Sequence, residues 1–133
     1  MQPNIISLTV DPLNNATTET QEYTRFEEFL NRSKYVTSDH SLQSRDELTL
    51  YRTFPKQAGN FRGVGKSATK FALDVLVPGV DDTTTLNSSI IVEVSFSVPV
   101  GASDADVLLM RQRAVALLDL DSVMSPLNSQ LMV

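Results

Sequence analysis

The chain contains no cysteine, no tryptophan and a single histidine, His40. Without cysteine there is no disulfide framework, no thiolate metal site and no thiol nucleophile. One histidine leaves no zinc cluster and little material for a Ser-His-Asp triad. No apolar run approaches the ~18 residues of a membrane span, and Met1 to Val10 lacks the basic start and apolar core of a signal peptide. The expectation is a protein made in a cytoplasm, poorly supplied for catalysis and needing neither cofactor nor metal. What remains is ordinary: 133 residues, 41% apolar and 20% charged. That is one domain, able to bury roughly two-thirds of its unfolded surface.

Acids outnumber bases, for a net charge of -5, but the excess is uneven. Residues 1–47 carry four bases against eight acids, and residues 74–133 carry two against eight. Residues 48–73 hold Arg52, Lys56, Arg62, Lys66 and Lys70 with no acid at all. Fields are screened beyond ~8–10 Å, so a basic segment inside an acidic chain can still attract phosphate. The plainer reading is a solvated loop kept soluble by its lysines.

Ile6, Leu8 and Val10 alternate with Ser7 and Thr9, the period of a half-buried strand, and Asp11 to Asn15 are turn formers. An N-terminal β-hairpin within residues 1–15 is expected. Residues 19–47 read both ways. Tyr23, Phe26 and Leu30 have helical spacing, whereas Thr20, Thr24, Tyr35, Val36 and Thr37 favour strands. From Leu48 to Phe54, Leu48, Leu50 and Phe54 face one way and Thr49, Tyr51 and Thr53 the other. Gly59, Gly63 and Gly65 mark residues 55–67 as a long flexible loop. Two further strands are predicted at Thr69–Val77 and Ile90–Val98, with a polar loop between them. Residues 16–100 are thus predicted to form an antiparallel sheet with one apolar and one polar face.

Residues 103–133 are predicted to be helical. Ser103 is a good N-cap with Asp106 three residues on, and Asp104 and Asp106 complement the helix dipole. Ten of the fifteen residues from Asp104 to Leu118 are apolar, too many for one stripe. A shorter helix is predicted between Ser122 and Leu131, restarted at Ser125-Pro126. The fold class is α+β. A five-stranded sheet is about 20–24 Å wide, and one helix ~10 Å across covers about two strands. One good helix therefore leaves apolar sheet uncovered, while being itself too apolar for one contact. Both problems are solved by an obligate symmetric dimer with Val107, Leu108, Met110, Val115, Leu117 and Leu118 at the interface. The alternative is that residues 19–47 supply a covering helix.

Other motifs weaken on inspection. Gly63-Val64-Gly65-Lys66-Ser67 suggests a phosphate loop, but that pattern needs a glycine or alanine where Asn60 stands, and a strand follows where a helix should begin. Asp81-Asp82 reads as a solvated loop or as the ligands of a cation. Glu93 has no second acid at a defined distance.

The run from Ile90 to Leu118, Ile-Ile-Val-Glu-Val-Ser-Phe-Ser-Val-Pro-Val-Gly followed by Ala-Ser-Asp-Ala-Asp and the apolar helix, resembles the last strand and first helix of coat proteins from single-stranded RNA bacteriophages. Leu48 to Thr53 and Lys70 to Pro78 look like the two preceding strands. The resemblance implies an N-terminal hairpin, a five-stranded antiparallel sheet and two C-terminal helices that interlock with a second subunit. It implies a structural protein whose dimers close into an icosahedral shell around genomic RNA, in a virion assembled in the bacterial cytoplasm. It also implies an RNA hairpin bound on the polar face as a translational repressor, and a loop at 78–88 that changes conformation around the shell's symmetry axes. Carried over strand by strand, that face holds Thr49, Tyr51, Thr53, Lys70, Ala72, Asp74, Ile91, Glu93 and Ser95. Isoleucine at 91 cannot stack on a base as the family's tyrosine does, and Asp74 stands where a lysine is expected. RNA contact is therefore assigned to Thr49, Tyr51, Arg52, Thr53, Lys56, Arg62, Lys66, Lys70 and Glu93, led by phosphate. Small dimeric modules without a shell, and nucleotide-binding proteins, are the competing classes.

Overall fold

The computed structural model describes residues 2–131; position 1 of the expected hairpin and positions 132 and 133 of the expected helical segment lie outside the described residues. The chain divides into two compact units, one of residues up to Phe54 with Gly65–Ser97, the other of Pro55–Val64 with Val98 onward.

The first unit is built on a sheet. Its strands are β1 (Ile5–Val10), β2 (Glu19–Glu28), β3 (Arg32–Val36), β4 (Asp46–Thr53), β5 (Val64–Pro78) and β6 (Thr85–Pro99). Each strand pairs with the next, so the spatial order is the chain order. The N-terminal hairpin is wider than expected and continuous with the sheet, giving six strands among the described residues where five and a separate hairpin were predicted. The turn is the cause. The Asp11 carboxylate accepts the backbone N–H of Asn15 at 3.1 Å and of Ala16 at 2.8 Å, and Asn14 and Ala16 take positive φ. Pairing therefore resumes only at Val10 opposite Glu19.

Residues 19–47 supply β2, β3, the first two residues of β4 and the turns between them, so no covering helix comes from them. The helical spacing there was coincidental. Tyr23 pairs with Ile6 and is buried, whereas Phe26 and Leu30 are exposed, beside a bulge between Arg25 and Glu27 and at the following turn. Tertiary pairing overrides a short apolar period. Tyr23, Tyr35 and Leu48 form the core, with Ile6, Leu8, Leu50 and Phe71 packed against them. Full burial of a leucine such as Leu48 contributes roughly 1.5–3 kcal/mol. Tyr35 is wholly buried and its hydroxyl donates to the Pro3 carbonyl at 2.7 Å, which ties down the N-terminal segment.

β5 and β6 each run 15 residues, longer than predicted at both ends. Residues 64–67 are therefore strand rather than loop. This also removes the phosphate-loop reading, because Gly65 to Ser67 lie in extended backbone rather than before a helix.

In the second unit the remaining loop is ordered by its own hydrogen bonds. Ala58 and Phe61 exchange backbone bonds of 2.9 and 3.0 Å across a turn at Gly59, whose φ is +61°. Gly63, at φ +97°, lies under the Lys56 backbone: a Cβ there would stand 2.4 Å from the Lys56 carbonyl oxygen. Its own carbonyl accepts from Val100 N–H at 3.0 Å. Helix α1 (Asp104–Leu118) starts as predicted: Ser103 Oγ accepts Asp106 N–H at 3.2 Å and donates to the Asp106 carboxylate at 2.7 Å. Helix α2 (Asp121–Leu131) begins earlier than expected, because the Leu120 carbonyl already accepts from Val123 and Met124. Pro126 accordingly lies inside α2 instead of opening it, at the loss of one N–H bond.

Candidate nucleic-acid interface

Strand register sorts the first unit's side chains onto two faces, because residues directly opposite share a face and successive residues alternate. Leu48 opposes Tyr35 and Phe71, which sets the apolar face. On the other face Lys34 opposes Thr49, which opposes Lys70. Arg32 opposes Tyr51, which opposes Ala68, and Thr53 opposes Lys66. Thr49, Tyr51, Thr53, Lys70, Ala72 and Asp74 thus share the polar face as expected. Ile91 lines the same hollow of about 100 Å3 as Lys70 and Ala72, so alternation along β6 brings Glu93 and Ser95 with it.

Several assigned residues are placed otherwise. Thr49 is only 5% exposed, walled in by longer neighbours, and supports the face rather than offering a contact. Arg52 follows the parity of Leu48 and Leu50 and lies on the apolar face. Its guanidinium donates to the Leu30 carbonyl at 3.0 Å and sits over the Phe54 ring. Lys56 and Arg62 belong to the second unit, on the ordered loop. The basic segment 48–73 is therefore one block in sequence but not one patch on the sheet.

The register supplies three bases that the sequence reading missed: Arg32, Lys34 and Arg45. The alternation of Arg32, Lys34 and Val36 with Ser33 and Tyr35 was the available signal. Arg45 is the hub of the face. It meets Asp74 at 3.3 Å, Glu47 at 3.8 Å and the Ser89 hydroxyl at 3.1 Å, and its backbone N–H donates to Asp74 at 3.0 Å. Lys34 reaches Glu47 at 3.7 Å. The Ser89 hydroxyl and both Arg45 donors hold the Asp74 carboxyl down at about 2. Asp74, which stands where the resemblance leads one to expect a lysine, is thus already paired with Arg45. Lys66 and Lys70 have no carboxylate partner among the described residues, and their charge is available.

At the β5–β6 loop, Asp81 Oδ1 accepts from the Thr83 and Thr84 N–H groups and from the Thr84 hydroxyl at 2.8 Å. These bonds lower its pKa. That carboxylate is engaged by its own turn. In the second unit, Leu108, Met110, Val115, Leu117 and Leu118 are about half exposed, Val107 somewhat less, and no residue of α1 is buried.

No protein-family model matches the sequence, and no curated protein does. Solved structures do. The virus-like particle of bacteriophage AVE019 superposes with a TM-score of 0.76 at 21% identity, over 97% of this chain and 96% of that one. The virus-like particle of Beihai levi-like virus 32 gives 0.67 at 15% identity, over 78% and 80%. The capsid protein of bacteriophage GA gives 0.62 at 12% identity, over 93% of each chain. The chain has the fold of these phage shell proteins. The likeness to the first and third of these runs nearly end to end.

Proposed function

We propose that the protein is the coat protein of an RNA phage. Dimers bury the C-terminal helices and the β6 edge, close into an icosahedral shell, and hold single-stranded RNA against the polar sheet face. The observation that carries this is α1, a fifteen-residue helix whose apolar residues point almost all round and of which none is buried. Leu108, Leu109, Met110, Val115, Leu117 and Leu118 are 47–57% exposed, so about half of the roughly 1.5–3 kcal/mol that each can gain from burial is unrealised. On the sheet, Leu73, Ile90 and Val92 are also exposed. β6 is an edge strand of 15 residues with Glu93 as its only charge, a template for pairing with a second copy.

The polar face supports the RNA part. Two of its acids, Asp74 and Glu47, are paired internally and Glu93 is not, while Lys66 and Lys70, without a carboxylate partner among the described residues, remain free for phosphates. Recognition is led by the backbone, and Ile91 offers no ring for base stacking at its position. The test is to express the chain alone and examine it by sedimentation velocity and electron microscopy. Closed shells containing RNA are expected. Monomers, or dimers that form no shell at any salt concentration, refute the proposal.

A further inference from the structure

Resting on that RNA reading, we infer that Tyr51 is a stacking platform for an unpaired base of single-stranded RNA, flanked by Lys66 and Lys70 as phosphate contacts. Across β3, β4 and β5, Tyr51 is the sole aromatic residue that the register places on the polar face. It is 37% exposed, and its hydroxyl has no partner among the described residues. The ring is the shared wall of two open hollows. One, of about 100 Å3, is also lined by Lys34, Glu47, Lys70 and Ile91. The other, of about 360 Å3, is lined by Thr53, Lys66, Ala68 and Ser95.

The neighbours explain why the ring is accessible. Its cross-strand partner on β5 is Ala68, whose methyl group leaves the adjoining space open. Its partner on β3 is Arg32, whose guanidinium sits over the Phe29 ring, 4.7 Å from the centroid, while the side chain also lines the smaller hollow. Lys66 and Lys70 lie two residues either side of Ala68 on the same face, spaced roughly 13 Å apart along the strand at about 3.3 Å per residue. An aromatic face between two unpaired lysines matches the alternation of base and phosphate in a single strand. A duplex keeps its bases stacked internally and can use only the lysines.

The test uses purified protein with a short oligoadenylate carrying one 2-aminopurine, and an RNA duplex of similar charge. Tyr51→Ala is expected to weaken the single strand about ten-fold and relieve quenching of the 2-aminopurine, with duplex affinity unchanged. Tyr51→Phe retains both. Tyr51→Leu, which keeps bulk without an aromatic face, carries the test should the alanine variant fail to fold. Lys66→Gln with Lys70→Gln weakens both probes and flattens their salt dependence. If the tyrosine variants bind and quench like the parent while the lysine variants weaken, the platform is overturned and the RNA reading stands. If the parent binds neither probe at low salt, both fall.

Discussion

Asp74 shows how a single carboxylate sets a pH limit. Its folded pKa is about 2 against an ordinary 3.8, so between those values the unfolded chain holds more protons. Stability from this group is complete above about pH 4 and is lost as pH falls towards 2. Thermal melts followed by circular dichroism are expected to show a drop in midpoint across that window, and Asp74→Asn is expected to show a smaller one. The glycines differ from each other in the same measurable way. Gly63→Ala forces a Cβ against the Lys56 backbone at positive φ, whereas at Gly59 nothing lies within 4 Å. Backbone strain alone costs about 1–3 kcal/mol at Gly63, with steric overlap added, against about 1–2 kcal/mol at Gly59. Urea midpoints should fall further for Gly63→Ala; equal midpoints would contradict the packing described. Residue roles were only partly legible in the sequence. Alternation placed Lys70, Tyr51 and Asp74 on one face, but it could not show that Arg45 closes on Asp74 from 29 positions away, nor that Thr49 is covered by longer neighbours.

Among the elements, α1 was the most legible, because its cap, its acidic first turn and its end all lie within its own sequence. β4, β5 and β6 were legible as alternating runs, although their ends extended wherever a partner strand was present to pair with. β2 and β3 were not: their apolar residues are sparse, a bulge breaks the period at Phe26, and their identity rests on pairing with distant strands. The apolar surplus of α1 gives the prediction at this scale. In the proposed dimer Leu117→Asp places a charge at the apolar interface, and the variant is expected to lose soluble dimer altogether, whereas Leu117→Met is expected to assemble normally. Sedimentation velocity distinguishes them; a well-folded Leu117→Asp dimer would remove α1 from the interface.

For the molecule as a whole, the proposed RNA partner is compatible with net acidity because Lys66 and Lys70 have no carboxylate partner among the described residues. Reversing Lys66 and Lys70 to glutamate is expected to lower the RNA content of purified shells several-fold while leaving dimers intact. Absorbance ratios and gel analysis of extracted nucleic acid measure it, and unchanged RNA content would refute the role given to those lysines.

The two margins of the sheet are unequal, with six residues in β1 and 15 in β6. A two-fold union through the long margins consumes both of them at once and leaves only the stubby N-terminal strands facing outward. Lateral growth then stops after a single joining event. In the proposed dimer an open ribbon, the usual hazard of a bare strand, would thereby be forestalled by the arithmetic of strand length.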